Sequence, residues 1–226
     1  MLELACGTGI VTRHLFDRIG PSAKLTATDL NDAMIDYART KFAPETSVEW
    51  KQADATELPF ADRSFDAAIC QFGLMFFPDK EKAVRETYRV LKPGGTFLFN
   101  VWDLIEQNDL PRTARDVISK FFEDDPPDFY DVPFSFHDPE TIRSLLCAAG
   151  FNNGQLTLLP FTAISASVRD AVKGLVHGNP IIVAIRDRDE SKIPEIEAAL
   201  ANEIAARYGD APVRARMQAW ICTAKR

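Results

Sequence analysis

From the first residues to about position 103, apolar runs of strand length alternate with amphipathic runs of helix length. No other feature constrains the fold as much. "LELA" leads into the turn Gly7-Thr8-Gly9. "IVTRHLFDRIG" follows, with Val11, Leu15, Phe16 and Ile19 on one face and Gly20 as its stop. "KLTATDL" reads as a strand and "NDAMIDYARTKF" as a helix capped by Asn31, with Met34, Ile35, Ala38 and Phe42 in register. "SVEWKQAD" is a further strand, and "FDAAICQFGLMFF" starts as a buried strand and continues into a loop. "DKEKAVRETYRVLKPGG" is a helix closed by Lys92-Pro93-Gly94-Gly95, and "TFLFNVWD" is another buried strand. Apolar strands joined by helices require a parallel sheet covered on both faces.

Beyond Asp103 the pattern changes. Residues 104–135 read as a helix followed by a Pro- and Asp-rich loop. "DPETIRSLLCAAGF" is a helix with a capping start and a Gly150 stop, and "QLTLLPFTAI" is a strand. "ASVRDAVKGLVHGN" and "ESKIPEIEAALANEIAARYG" read as helices, and "VRARMQAWICTAKR" as the last strand. The helical stretch 165–212 lies between two strands and is expected as an insertion, not a second domain. The net charge of −7 disfavours a partner defined by its phosphate backbone, so no nucleic-acid partner is expected. Cys6, Cys70, Cys147 and Cys222 are scattered through apolar stretches and read as buried free thiols of a reducing compartment. With no signal peptide and no spanning run, the expectation is a cytoplasmic protein without a membrane partner.

A glycine turn between strand and helix lets a ligand approach the backbone, and the helix amides point at it. The dinucleotide fingerprint calls for a third glycine where this chain has Thr12. Asp29 ends the second strand twenty residues after Gly9, where an acid can accept hydrogen bonds from both hydroxyls of a ribose. Its alternative is to cap the helix near Asn31. Asp54 ends the third strand, where a carboxylate could accept the exocyclic amine of adenine or simply be a solvated loop acid.

Taken in order, "LELACGTG", "ATDLNDAM", "QADATELPFADRSFDAAICQFGLMFFPD" and "ETYRVLKPGGTFLF" resemble the successive motifs of class I S-adenosylmethionine-dependent methyltransferases. They are most similar to the subgroup of ubiquinone and menaquinone biosynthesis C-methyltransferases. "FSFHDPETIRSLLCAAGF" resembles the same subgroup. The resemblance implies a Rossmann-like α/β fold with a seven-stranded, mostly parallel sheet, helices on both faces, and an antiparallel last strand beside the fifth. It implies one methyltransferase domain over residues 1–226, with variable substrate-covering insertions at 104–135 and 165–212. It implies S-adenosyl-L-methionine as cofactor, S-adenosyl-L-homocysteine as product, and a small-molecule methyl acceptor. A homodimer is compatible with it, and no metal is implied. Family members carry a helical segment before the first strand, whereas Met1 stands within that strand. The expectation is that native residues precede it.

Residue by residue, Glu3 would reach the cofactor's amino group, directly or through water, and Ala5, Cys6, Gly7 and Gly9 would line its methionine part. Asp29 would hold the ribose hydroxyls, Leu30 and Met34 would flank adenine, and Asp54 and Ala55 would bind the adenine edge. Gln71 would offer backbone contact near the sulfonium, with Phe72 and Gly73 beside it. A sulfonium is a cation, which acids, carbonyls and aromatic faces favour. The donor methyl is already activated, so a base is needed only if the acceptor must lose a proton. His137 is the candidate for that or for a substrate contact, against a plain loop or capping role; His14 reads as structural, and His177 has no evident partner. Phe76, Trp102, Phe136 and His137 are the expected substrate contacts, and Phe77, also a pocket candidate at the strand ends, reads more as core. The aromatics Phe121, Phe122, Phe129, Tyr130, Phe134 and Phe136 line an apolar acceptor pocket or glue their segment to the sheet. The main alternative is an NAD-dependent oxidoreductase. Thr12 stands against it, and neither Tyr37 with Lys41 nor Tyr88 with Lys92 is taken as a catalytic Tyr-Lys pair. A non-catalytic S-adenosylmethionine-binding module is the other. Nucleic-acid methylation is disfavoured by the charge and by "QFGLMFF" after the fourth strand.

Overall fold

A computed structural model describes residues 1–20 and 23–226. In chain order the elements are β1 (Leu2–Leu4), α1 (Ile10–Phe16), β2 (Leu25–Asp29), α2 (Asp32–Arg39), β3 (Val48–Gln52), β4 (Phe65–Gln71), α3 (Lys80–Val90) and β5 (Leu91–Trp102). They continue with α4 (Asp109–Ser119), α5 (Asp131–Phe134), α6 (Pro139–Ala148), β6 (Asn152–Ser165), α7 (Val168–His177), α8 (Ile181–Asp189), α9 (Ile193–Tyr208) and β7 (Val213–Lys225). The sequence reading had no helix at 181–189. Its apolar residues Ile181, Ile182, Val183 and Ile185 give only a short, ragged stripe, too brief for the helical period to stand out.

One sheet holds all seven strands in the order β3-β2-β1-β4-β5-β7-β6. β1 pairs in parallel with β2 and β4, β2 with β3, and β4 with β5. β7 runs against β5: the Arg226 N–H donates to the Gly95 carbonyl at 3.0 Å, and the Asp103 N–H to the Gln218 carbonyl at 3.1 Å. Positions rise along one strand as they fall along the other, the mark of an antiparallel ladder. The fold is thus the expected α/β sheet with its last strand reversed beside the fifth.

The chain divides into two compact units. The first comprises Met1–Val101, Asp138–Thr157 and Trp220–Arg226; the second comprises Trp102–His137 and Leu158–Ala219. Burial follows the sequence pattern in the first. Leu2, Leu4, Leu25, Ala27, Phe97 and Phe99 are buried from the strands, and Ile35, Ala38, Val84 and Val90 from α2 and α3. Local chemistry sets the helix ends. Asn31 caps α2 by accepting the Ala33 N–H, and Asp79 caps α3 by accepting the Lys82 N–H. Asp138 caps α6 by accepting the Thr141 N–H. The second unit has its own core, in which Ile196, Leu200 and Ile204 of α9 meet Val172 and Val176 of α7 and Ile118 of α4. Phe122, Tyr130 and Phe134 are buried in that core, with Phe121 and Phe129 packed against it, so five of the six aromatics of this stretch serve as glue. Of the cysteines, Cys6, Cys70 and Cys222 are buried as read, but Cys147 is exposed because it lies on the outer face of α6.

Candidate functional site

β1 lies between β2 and β4, and the connections leaving the carboxyl ends of β1 and β4 run in opposite directions along the sheet, to β2 and to β5. Such a reversal leaves a crevice beyond the strand ends, the usual ligand position in open α/β sheets. A cavity of about 430 Å³ lies there. Its lining comes from the ends of β1 (Ala5, Gly7), β2 (Thr28 to Asn31), β3 (Ala53 to Thr56) and β4 (Phe72, Gly73), with Met34 of α2 and the segment Phe76 to Pro78. The size suits a ligand of nucleoside dimensions or larger.

Asp29 organises the floor. Its Oδ2 accepts the Gly7 N–H at 2.8 Å and its Oδ1 accepts the Asn31 N–H at 2.9 Å. One carboxylate thus ties the glycine turn to the start of α2, while Asn31 supplies the cap itself. Each carboxylate oxygen keeps a lone pair for a further donor. Asp54 projects from the next loop. The Thr56 N–H donates to its Oδ1 at 2.7 Å and holds its carboxyl below the usual range.

Two non-glycine residues adopt left-handed backbone at this crevice, Ala5 (φ 51°) and Phe72 (φ 50°), at the ends of the neighbouring strands β1 and β4. Such conformations gather where a site demands them. The strand ends approach so closely that a Cβ on Gly73 would stand 2.6 Å from Ala5 Cβ and 2.9 Å from Cys70 Sγ. Leu30, Met34 and Phe76 are large apolar side chains left 65%, 41% and 50% exposed, all on the cavity. The sequence pattern placed Met34 in the buried register with Ile35, Ala38 and Phe42. Those three are buried, while Met34 turns to the cavity wall, one position off the stripe that faces the sheet.

Of the residues expected to hold a cofactor, Ala5, Gly7, Asp29, Leu30, Met34, Asp54, Ala55, Phe72 and Gly73 come together in this lining, as does Phe76 from the substrate set. Glu3, Cys6, Gly9 and Gln71 do not. Gly9 is buried beneath α2, where a Cβ would stand 2.9 Å from that of Ala38, so its smallness serves helix packing. Glu3 is buried in β1, and burial pushes its carboxyl up to about 7. Cys6 is also buried, its thiol pushed up to about 12 by desolvation, and the Gln71 side chain is exposed. Trp102, Phe136 and His137 belong to the second unit. There Trp102 stacks on Phe134 at 6.1 Å, and Phe136 is buried. His137 directs Nδ1 to the Phe134 carbonyl at 2.8 Å, as a loop residue does. His177 has a partner, Glu197 at 2.5 Å. The reading gave no site role to Thr28, Asn31, Ala53, Thr56 and Pro78, and it favoured core over pocket for Phe77. Phe77 read as core because its run "LMFF" is uniformly apolar, yet it lines the cavity half-buried. Lys41 lies over the Tyr37 ring at 4.6 Å and donates to the Thr8 carbonyl at 2.7 Å, and neither lines the cavity.

The family described as "Methyltransferase domain" matches residues 2–99. The ubiquinone/menaquinone biosynthesis C-methyltransferase UbiE of Idiomarina loihiensis is 35% identical over 167 residues, covering 67% of this chain and 65% of that protein. The UbiE of Proteus mirabilis is 31% identical over 173 residues, covering 70% of this chain and 68% of the relative. The chain thus spans about two-thirds of the length of these curated relatives. The solved structure of the YcgJ protein from Bacillus subtilis superposes with a TM-score of 0.63 at 21% identity, over 100% of this chain and 90% of the other, a likeness of fold. With the motif order in the first hundred residues and the crevice at the β1 switch point, the chain belongs to the class I S-adenosylmethionine-dependent methyltransferases of the ubiquinone/menaquinone biosynthesis type.

Proposed function

We propose that the protein transfers a methyl group from S-adenosylmethionine to a small, apolar or aromatic acceptor. The relatives are named C-methyltransferases of ubiquinone and menaquinone biosynthesis, which favours a ring carbon of a quinone-type molecule. The observation that carries the reading is Asp29, a carboxylate with free lone pairs at the floor of an apolar-rimmed crevice.

The residues present fit the cofactor. Asp29 can accept both ribose hydroxyls without releasing Gly7 or Asn31. Leu30 and Met34 offer exposed apolar surface for the two faces of an adenine, and Asp54 an acceptor for its amine. Glu3 Oε2 is buried without a hydrogen-bond partner, and a cationic amino group would satisfy it. When bound, the cofactor supplies an activated methyl on a sulfonium. The protein's part is to orient and to exclude water. Phe72, Phe76 and Phe77 line the cavity and suit both a cation and an aromatic acceptor. Among the lining residues the only acids are Asp29 and Asp54, and this wall offers no cationic or imidazole group to an acceptor. The reading therefore favours an acceptor that is nucleophilic by its own ionisation.

Calorimetric titration with S-adenosylmethionine, S-adenosylhomocysteine and NAD tests this. The first two should bind, and Asp29→Ala should weaken both by at least about tenfold through the loss of two charge-assisted hydrogen bonds. Binding of NAD alone would overturn the reading.

A further inference from the structure

The two edges of the sheet differ in length and in charge. β3 is the outer strand on one side, five residues long, and it carries Glu49 and Lys51. β6 is the outer strand on the other side, fourteen residues long, and it carries no charge. No Lys, Arg, Asp or Glu stands anywhere between Arg143 and Arg169. Open edges are normally blunted by charge, shortness or a cover, because their free N–H and C=O groups template another strand. In its second half β6 has one such device, Pro160.

That half, residues 158–165, belongs to the second unit. Every residue from Leu158 to Thr162 is exposed, so the strand is open on both faces. Successive side chains alternate, which puts Leu158 and Ile164 on one face and Leu159 and Phe161 on the other. The four are 39%, 60%, 44% and 38% exposed. Phe161 rests against Trp102 with ring centroids 6.2 Å apart, and Ala163 packs on the core of α4, α7 and α9. Ile164, the most exposed of the four, stands on the opposite face.

We propose that this half of β6 is the contact between two copies of the chain, the two strands pairing antiparallel about a two-fold axis. A bare row of strand N–H and C=O groups is satisfied by another strand and not by lipid, which offers them no partner. An antiparallel edge is its own complement, so a copy of β6 fits β6 without a second surface. Each copy carries a net charge of −7, and the uncharged stretch between Arg143 and Arg169 is where two copies meet with least repulsion. Pairing β6 with β3 would set apolar residues beside Glu49 and Lys51, and would add copy after copy without closing. A proline nitrogen in a sheet belongs on the open side, so Pro160 costs the ladder one donor per copy and keeps the contact short.

Sedimentation velocity over about 1 to 200 μM should show a monomer–dimer equilibrium with a Kd in the micromolar range, as a contact of one short strand allows. The contact holds no ion pair. Raising salt from about 50 to 500 mM should therefore strengthen it, by screening the charge the copies share. Leu158→Lys and Ile164→Lys place a charge where edge strands are usually protected. Each should weaken association by at least about tenfold while helix content and melting temperature stay as in wild type. Val183→Lys, at an exposed apolar position on α8, should leave association within about twofold. Amide exchange at 158–165 should slow as wild-type concentration rises, and this readout carries the test if a lysine variant does not fold. Four results overturn the inference: a monomer at about 200 μM, a dimer that persists in both lysine variants, assemblies larger than a dimer, or exchange at 158–165 that ignores concentration. None of them bears on the cofactor reading, which the nucleoside titrations test separately.

Discussion

Glu3 shows how one residue can carry a cost in the free protein. Its carboxyl is buried and rises to about 7 from an unfolded value of 4.5. The folded state therefore holds the proton more tightly than the unfolded chain. That contribution to stability is fully present below pH 4.5 and is lost as pH rises through about 7. Glu3→Gln should stabilise the ligand-free protein by about 3 kcal/mol at pH 8, give no gain at pH 4, and flatten the pH dependence between 5 and 8. Denaturant melts at these pH values check it. At the same scale, the part of the site that could be read from sequence was what chemistry and spacing fix locally. Asp29 ends β2 as expected, Asp54 stands two residues beyond the end of β3 in the loop that follows, and both line the cavity. Gly9, read alongside Gly7, instead packs against Ala38, because a glycine motif does not say which glycine faces a ligand and which faces a helix.

Among the elements, Arg89 near the end of α3 holds a loop that has no regular structure of its own. Its guanidinium donates to the Leu58 and Phe60 carbonyls at 2.9 and 2.8 Å, to Asp62 at 2.8 Å, and to both oxygens of Glu86. Glu86 in turn accepts the Leu58 N–H at 2.8 Å. The planar, five-donor geometry of arginine makes this one knot. Arg89→Met should cost about 2 kcal/mol, discounted for the partial exposure of the group, and should speed amide exchange at residues 58–64. Exchange rates equal to wild type there would remove Arg89 from this role. Helix caps were legible beforehand because a cap is a local exchange between one side chain and amides two or three residues on, as at Asn31 and Asp138. The knot around Arg89 was not, because its loop partners Leu58, Phe60 and Asp62 are about thirty residues away.

In the whole molecule, the lining of the cavity comes entirely from the first unit, while the second has a separate core centred on α9. Leu200 is fully buried in that core. Leu200→Ala should cost about 2–5 kcal/mol in chemical denaturation. Nucleoside affinity, measured well below the unfolding midpoint, should stay within about twofold of wild type. The sequence by itself determined the element order through the first hundred residues, the parallel sheet, and the acids at the end of β2 and just beyond β3. Each of these follows from periodicity, capping or position along a strand, properties carried by neighbours in the chain. Only the tertiary structure decided that Met34 and Phe77 face a cavity, that the aromatics from Phe121 on serve a core, and that Glu3 and Thr12 are buried together beneath the glycine turn. Those outcomes depend on which surfaces meet when strands far apart in sequence lie side by side, and a one-dimensional pattern fixes the apolar character of a residue but not what it is packed against.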